Sequence, residues 1–320
     1  MPCTNPKKCW HVGTTENGKK KYVFKRPPNH WNYEQSQVPC GKCINCHVDK
    51  AREWATRATH EAQLHDNNCF VTLTYSDEHL PENATLKKED LQKFIKLVRY
   101  HFRPLEVKYL ACGEYGSESN THRPHYHICF FGIDAPDKEL FFTNRYGDPI
   151  YRSELFERIW KKGHVTIGQF NYRTASYTAR YTIKKMETSE NYQFKHEIID
   201  KYTGETNYDP VAARKYYLMR NKIPEFITMS QGIGRKWHDK FKSDTHKDYI
   251  TVNNHKAKIP KYYDKLLERK DPERLEQIKE ARVAKAKELQ KDKTKSILNS
   301  KDVIMKKRIK NQKRILNNGN

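Results

Sequence analysis

The sequence predicts an α+β protein with a central antiparallel sheet and flanking helices. Three observations lead to this class: strand-like and helix-like segments alternate, two of the strands are joined by a single polar loop, and most apolar residues lie in the middle of the chain. Strands joined directly by a loop run antiparallel, and helices then cover the sheet. We expect three parts: a cysteine-rich segment over 1–65, a central domain over 66–245 and a basic tail over 246–320.

The elements follow from residue periodicity. Residues 1–65 begin irregular and continue as a helix over 48–64, where Trp54, Ala55, Ala58 and Ala62 recur at helical spacing. Period-two alternation predicts strands, with Cys69, Val71 and Leu73 on one face of the first and Phe70 and Thr72 on the other. The expected strands are 69–75, 107–112, 125–133 and 165–170. The expected helices are 86–102, 153–161 and 174–186, and a polar loop is expected over 113–124.

The tail is strongly basic. Residues 261–320 contain 19 Lys and Arg against 9 Asp and Glu, and their apolar stripe is thin. We expect an exposed arm that is partly helical or disordered, and a solvated helix that only aids solubility is the alternative.

Composition indicates the class of partner. The chain has 320 residues with 61 Lys and Arg against 39 Asp and Glu, a net charge of +22, so nucleic acid is the expected ligand. Apolar runs are far shorter than the roughly 18 residues of a membrane span, and no secretory signal begins the chain. We therefore expect a cytoplasmic protein without membrane contact. Its eight cysteines are then metal ligands or buried side chains rather than disulfides.

A histidine pair is the first candidate site. His125 and His127 alternate on a predicted strand, so both imidazoles point to one face. Glu114, at the other end of the same hairpin, is the expected third ligand, with Glu118 or His122 as substitutes. Two imidazoles and one carboxylate suit Mg²⁺ or Mn²⁺ acting on phosphate, and Zn²⁺ would also accept them.

A tyrosine pair is the second candidate site. Tyr177 and Tyr181 are four residues apart on a predicted helix, and Lys185 follows after four more, so the three share a face. A phenol can attack a phosphate when a nearby cation stabilises the phenolate. Core packing of the two rings is the alternative.

In order along the chain, the strand at 69–75, the histidine strand and the Tyr177–Lys185 segment resemble the HUH endonucleases, the rolling-circle replication initiators. The similarity is closest to initiators of small single-stranded DNA phages of the Microviridae, gokushovirus-like group. Supporting segments are 39–46, 113–116 and 229–234, and the resemblance covers roughly residues 1–245. One position departs from the pattern, because Tyr126 stands where an aliphatic residue is usual.

The resemblance implies a mechanism. A divalent ion on Glu114, His125 and His127 would polarise the scissile phosphate of origin DNA, and Tyr177 or Tyr181 would attack it. The products would be a 5′-phosphotyrosine link and a 3′-hydroxyl that primes a host polymerase. Lys185 or Lys184 would support the developing charge. Residues 13–20 only superficially resemble a phosphate-binding loop, so unwinding is expected to come from a host helicase.

A cysteine cluster completes the candidates. Cys40, Cys43 and Cys46 are dense enough to bind metal, and by resemblance Cys3 is the best fourth ligand, with Cys9, His11 and His47 as rivals. We expect structural Zn²⁺ rather than a four-iron cluster, whose ferredoxin-type spacing would require a cysteine at residue 50. The expected DNA contacts are Arg52, Arg57, Arg123 and Arg180.

Two other functions fit parts of the pattern. A non-catalytic, zinc-stabilised DNA-binding or packaging protein would need only the charge and the cysteines. A transposase or plasmid relaxase would use the same chemistry on another DNA substrate.

Overall fold

The computed structural model describes residues 3–16, 20–41, 43–116, 123–144, 146–187, 197–199, 206–208, 222–252, 254–288, 294–301, 303–305 and 307. Side chains are not described at 20, 181–187, 197–199, 206–208, 245–247 and 286–287. The described residues form two compact units. One draws on Met1–Asp49 and Arg282–Ile315, and the other on Lys50–Ala281. The three-part division expected from composition stays a prediction.

The first unit contains a small antiparallel sheet in the order β2-β1-β3. Its strands are β1 (Lys7–Thr14), β2 (Lys20–Val23) and β3 (Glu34–Val38). The residue pattern predicted an irregular segment here. The strands were missed because they are mostly polar, and in β1 only Cys9 and Trp10 are buried.

The second unit is built on a seven-stranded sheet in the order β12-β5-β6-β4-β9-β8-β7. Each pair of neighbouring strands is antiparallel, which confirms the α+β class. The strands are β4 (Asn68–Thr74), β5 (Lys108–Tyr115), β6 (Pro124–Phe131), β7 (Glu139–Thr143), β8 (Pro149–Arg152), β9 (Val165–Gln169) and β12 (Phe226–Met229).

Helices cover both faces of this sheet. Apolar residues of α2 (Lys88–His101) and α3 (Glu154–Trp160) form the larger core with Val71, Ile128 and Ile167. On the opposite face, α1 (Ile44–Ala62) and α4 (Tyr172–Glu187) pack on Cys129 and Phe131 through small alanines. We call this second face the site face.

Two parts of the second unit differ from the expectation. Strand β5 continues to Tyr115, so Glu114 lies in a strand and not in the expected polar loop. The reason is its pairing, because Glu114 is the direct cross-strand partner of His125. The hairpin β7–β8 and strand β12 were not expected at all.

The chain after residue 245 contains ordered elements. A hairpin of β13 (Tyr249–Val252) and β14 (His255–Lys258) precedes α6 (Lys261–Lys270) and α7 (Pro272–Glu288). Trp237 of α5 (Arg235–Lys240) packs in one cluster with Ile250, Tyr263 and Leu266. The tail was expected to be an exposed arm that is partly helical or disordered, whereas Tyr263 and Leu266 of α6 are buried in this cluster, and the hairpin was missed. A further hairpin joins β10 (Glu197–Ile199) and β11 (Thr206–Tyr208).

Across the described residues, every helix is too short or too polar to cross a lipid bilayer.

Candidate metal centre and nucleophile

Three predicted ligands meet on the site face. Nε2 of His125 lies 2.9 Å from Oε1 of Glu114, and Nε2 of His127 lies 2.7 Å from the same oxygen. The alternation of β6 turns both imidazoles to one side, and β5 supplies the carboxylate from the paired strand. One ligand atom from each residue lies within 4.8 Å of the others. The geometry therefore brings Glu114, His125 and His127 into one potential metal site.

The second ring nitrogen of each histidine, Nδ1, also has a hydrogen-bond partner. Nδ1 of His125 is 3.2 Å from the carbonyl oxygen of Arg123, and Nδ1 of His127 is 3.0 Å from the hydroxyl of Thr72. A carbonyl only accepts, so Nδ1 of His125 donates to it, and Nε2 is the ring nitrogen that faces Glu114 and the position of an ion. Metal-binding histidines are oriented in this way by their second nitrogen. The residues present thus fit a divalent ion.

The carboxylate of Glu114 stays charged although it is only 2% exposed. Burial alone would raise its pKa, but the hydrogen bonds to His125 and His127 outweigh burial and hold the pKa of Glu114 well below its usual range. The site therefore presents a fixed negative charge between two imidazoles.

Tyr177 of α4 reaches the same carboxylate. Its hydroxyl donates a 2.6 Å hydrogen bond to Oε1 of Glu114, and its ring meets His127 edge to face at 5.0 Å. Burial, and then the negative charge of Glu114, raises the pKa of Tyr177 well above its ordinary value. The guanidinium carbon of Arg180 lies 5.7 Å from the centre of the Tyr177 ring. One predicted tyrosine is thus in contact with the predicted metal ligands.

The remaining predicted residues of the helix stay predictions. Helix α4 continues to Glu187, so Tyr181, Lys184 and Lys185 lie within it, but their side chains are outside the described residues. Glu118 and His122, the substitute ligands, also lie outside the described residues.

The predicted DNA contacts differ in placement. Arg52 is exposed on α1, and Arg123 donates to Asp77 and to the carbonyl of Tyr75 beside the histidine strand. Arg57, by contrast, is only 7% exposed. Its guanidinium carbon lies 4.1 Å from the Trp54 ring centre and 4.0 Å from that of Tyr262, and its Nε donates to the carbonyl of Ile233.

The expectation that Arg57 contacts DNA stays a prediction. A guanidinium enclosed by two rings supports packing within the second unit, and this favours a structural role over a phosphate contact. This contact could not be predicted, because Tyr262 is more than 200 positions away in the sequence.

Two residues at the metal centre were missed. Thr72 binds Nδ1 of His127, and the ring of Phe70 stacks on that imidazole with centroids 5.4 Å apart. The alternation of β4 already placed both residues on one face of their strand. Register with β6, which the sequence does not reveal, was needed to bring that face to His127.

The cysteine cluster lies in the first unit. Sγ of Cys43 is 3.7 Å from Sγ of Cys3 and 3.5 Å from Sγ of Cys46, and Cys40 completes a group whose sulfurs all lie within 4.8 Å. Zn–S bonds of about 2.3 Å in a tetrahedron require sulfur separations of about 3.8 Å, so four cysteines at this spacing suit zinc.

Backbone contacts and charge support the cluster. The amides of Cys40 and Cys43 donate to the sulfurs of Cys3 and Cys40, respectively. Although burial would raise it, hydrogen bonds that include those with Thr4 lower the pKa of Cys43 to about 6, whereas burial raises the pKa of Cys3 to about 11 and also raises that of Cys46, so the thiolate is favoured at Cys43. Of the rival fourth ligands, Cys9 instead directs its thiol to the carbonyl of Ser36.

Comparison with known proteins links these sites to a family. Residues 68–186, which include Glu114, both histidines and Tyr177, match the family described as "Replication-associated protein ORF2/G2P". The chain is 37% identical over 265 residues to the replication-associated protein ORF2 of Spiroplasma virus 4. The aligned residues cover 78% of this chain and 74% of that protein.

Two further phage proteins are similar. The replication-associated protein VP4 of Bdellovibrio phage phiMH2K is 32% identical over 247 residues, covering 74% of this chain and 69% of that protein. The replication-associated protein ORF4 of Chlamydia phage 1 is 32% identical over 156 residues, covering 46% and 38%. No solved structure matches the chain.

Proposed function

The chain belongs to the ORF2/G2P family of replication-associated proteins, and from this premise we propose that it initiates replication by nicking single-stranded origin DNA. A tyrosine of α4 attacks the scissile phosphate, so that cleavage and covalent attachment are one step. One observation carries the proposal: Oε1 of Glu114 contacts both imidazoles and the Tyr177 hydroxyl. The proposed nucleophile and the two histidines thus contact the same carboxylate oxygen.

Glu114, His125 and His127 are the residues that would hold the ion, for which we propose Mg²⁺ or Mn²⁺. When bound, the ion supplies Lewis-acid polarisation of a non-bridging phosphate oxygen. Thr72 and the carbonyl of Arg123 keep the imidazole planes fixed through their Nδ1 atoms. The same ligands accept Zn²⁺, so metal add-back is needed to identify the ion.

Tyr177 is the proposed first nucleophile. Its raised pKa keeps the phenol protonated in the free protein, so the proton must leave as the oxygen attacks. Glu114, which already accepts that hydrogen bond, lies in the path of the proton. In the step, the Tyr177 oxygen bonds to phosphorus, the bond between phosphorus and the 3′ oxygen breaks, and the 3′ oxygen takes up a proton to leave as a hydroxyl.

Tyr181 is the proposed second nucleophile. It follows Tyr177 by four residues on α4, and Lys185 follows by four more, a spacing that shares one helix face. Lys185, with Lys184 beside it, would stabilise the phenolate and the phosphate charge. Two tyrosines allow one to hold the old 5′ end while the other cuts the regenerated origin, after which the released strand closes into a circle.

The arrangement supports an HUH-type endonuclease within the α+β class. Strand β6, which carries both histidines, lies between β5 and β4 in the sheet, and the tyrosine helix packs on the site face above it. The four cysteines of the first unit are proposed to hold a structural Zn²⁺ that fixes the start of α1.

The proposed reaction defines the partners. A net charge of +22 supports binding of single-stranded and origin DNA. The 3′-hydroxyl left by the cut primes a polymerase, for which we propose the host enzyme, together with a host helicase for unwinding. The proposed place of action is therefore the cytoplasm of a bacterial host.

Covalent capture tests this function. The native protein is incubated with Mn²⁺ and labelled single-stranded fragments of the genome that encodes it, and adducts are resolved on a denaturing gel. We expect an adduct that chelator abolishes, that metal restores and that the Tyr177→Phe, Tyr181→Phe double variant lacks. Tyr100→Phe, at an exposed position on α2, is the matched control. DNA binding without any adduct would favour the non-catalytic DNA-binding function instead.

A further inference from the structure

The edge of the large sheet carries an exposed aromatic strand. Strand β7 is the last strand on its side, and all five of its residues are exposed. Leu140 is 63% exposed, and Phe141 and Phe142 are each 46% exposed. An exposed apolar edge promotes aggregation unless a ligand uses it. The hairpin β7–β8 therefore requires a functional explanation.

Strand register relates this edge to the metal centre. His127 pairs with Thr72 on β4, and Thr72 pairs with Thr166 on β9. Arg152 stands opposite Thr166, because the adjacent residues Tyr151 and Ile167 are partners. Directly paired residues point to the same face, so Arg152 shares the site face with His127. Three strand spacings of about 4.8 Å separate the two residues by roughly 14 Å.

The hairpin presents aromatic rings on that face. The guanidinium carbon of Arg152 lies 3.5 Å from the centre of the Phe141 ring, and among the described residues Arg152 forms no ion pair. Phe142 pairs with Ile150, which lies two positions from Arg152 and so has the same orientation. Tyr151, between them, packs against the core on the other face. A cation and two aromatic rings thus stand together at the outer end of the site face.

Single-stranded DNA fits this chemistry. Its bases stack on exposed aromatic rings, and its phosphates pair with arginine. Thr72 and Thr166 lie between the metal centre and the hairpin, and both are partly exposed with small side chains. A polynucleotide strand can therefore cross the sheet between the two ends.

We propose that Phe141, Phe142 and Arg152 form a stacking platform for the single-stranded DNA that leads away from the scissile phosphate. This inference rests on the proposed function, which places that phosphate beside His127 and Tyr177. The platform adds affinity for one flank of the substrate, and the residues at the metal centre perform the reaction.

Binding without cleavage tests the platform. Fluorescence anisotropy in chelator measures the affinity of the full chain for labelled single strands that are lengthened one nucleotide at a time on either side of the mapped nick. We expect Phe141→Ala to weaken binding about tenfold, and only for strands long enough on one flank. Phe141→Trp should restore the affinity. Arg152→Ala should lower the slope of log affinity against log salt by about 0.7, the value for one phosphate contact in single strands.

The matched control lies on the other face of the sheet. Tyr100 of α2 is 66% exposed, and the guanidinium carbon of Arg103 lies 5.0 Å from the centre of its ring. It is therefore an exposed aromatic ring beside an arginine, as Phe141 is, but at a different place. Tyr100→Ala should leave the affinity unchanged. Equal losses in Tyr100→Ala and Phe141→Ala, or a loss that does not depend on strand length, would overturn the platform.

Two further outcomes separate this inference from the proposed function. On a strand too short to reach the hairpin, Phe141→Ala should form the covalent adduct at the native rate at saturating concentration. If the native protein forms an adduct but Phe141→Ala binds long strands normally, the platform is wrong and the nuclease stands. If Phe141→Ala changes self-association instead of DNA binding, β7 pairs with a second copy and the platform is wrong.

Discussion

Oε1 of Glu114 lies 2.6 Å from the hydroxyl of Tyr177 and 2.7 Å from Nε2 of His127. A helix and two strands therefore converge on a single carboxylate oxygen. Because these side chains contact the same oxygen, the effects of substituting them on activity should not be additive.

Thr72 should control metal affinity although it is not a ligand. Thr72→Val removes the hydroxyl that orients His127 while keeping the shape of the side chain. We expect Mn²⁺ affinity to fall about 10- to 100-fold, as for other lost partners of metal-binding histidines. Titration calorimetry measures this. Thr74→Val, two residues along the same strand face, is the control, and equal losses in both variants would contradict the assignment.

Tyr126 should matter for stability and not for the reaction. It faces away from the histidines, and its hydroxyl accepts from the amide of Lys87 at 2.8 Å and lies 2.9 Å from the hydroxyl of Tyr75. Tyr126→Phe removes these hydrogen bonds, while the Tyr75 hydroxyl still donates to Asp90, so we expect a cost of about 1 kcal/mol of unfolding free energy. Urea unfolding measures the cost. Adduct formation below the transition should stay at the native rate, and a loss there would place Tyr126 in the reaction.

The cysteine cluster should contain zinc. We expect about one Zn²⁺ per chain by elemental analysis and its loss in Cys43→Ser, because three thiolates leave a tetrahedral site incomplete. Limited proteolysis should then cut the segment over 3–46 faster. Cys9→Ser, in the same unit but outside the cluster, should retain the metal. Iron in place of zinc, or zinc retained in Cys43→Ser, would contradict the assignment.

The protein should lose stability in mild acid through His60. Its ring stacks on Trp237 at 3.5 Å, its Nδ1 lies 2.9 Å from the hydroxyl of Tyr263, and burial lowers its pKa to about 3. Between the ordinary His value of about 6.5 and pH 3, the unfolded chain binds a proton that folded His60 does not. Stability contributed by His60 is thus present at neutral pH and falls as pH drops, by at most about 1.4 kcal/mol per pH unit.

Urea unfolding at pH 7 and pH 5 measures this dependence. His60→Phe keeps a stacked ring without the titrating group, so its stability should change less between the two pH values. His255→Gln, at an exposed position, is the control. An unchanged pH dependence in His60→Phe would rule out His60 as the source.

Local pattern predicted the parts of the site that lie on one element. Alternation alone placed His125 and His127 on one face, and helical spacing alone placed Tyr177 on a helix, while its grouping with Tyr181 stays a prediction. The α+β class followed from the same periods. These signals suffice because each depends only on the geometry of its own strand or helix.

Most relationships between elements could not be predicted from the sequence, although Glu114 was expected beside the two histidines. Glu114 looked like a loop residue because a charged side chain beside Gly113 breaks the strand pattern, and only the two imidazoles across the hairpin make its burial favourable. Arg57 looked like a surface cation because Tyr262, which covers it, is distant in sequence. The edge strand β7 has no alternation, since every one of its residues is exposed.

Mapping the modified residue shows whether a tyrosine of α4 is the nucleophile. The covalent adduct formed with Mn²⁺ is digested with protease and nuclease, and mass spectrometry locates the remaining nucleotide. We predict that it lies on Tyr177 or Tyr181, that Tyr177→Phe shifts it to Tyr181 or abolishes it, and that Glu114→Gln lowers its yield at least tenfold. A nucleotide on a tyrosine outside α4, or an adduct that forms equally well in chelator, would contradict the account.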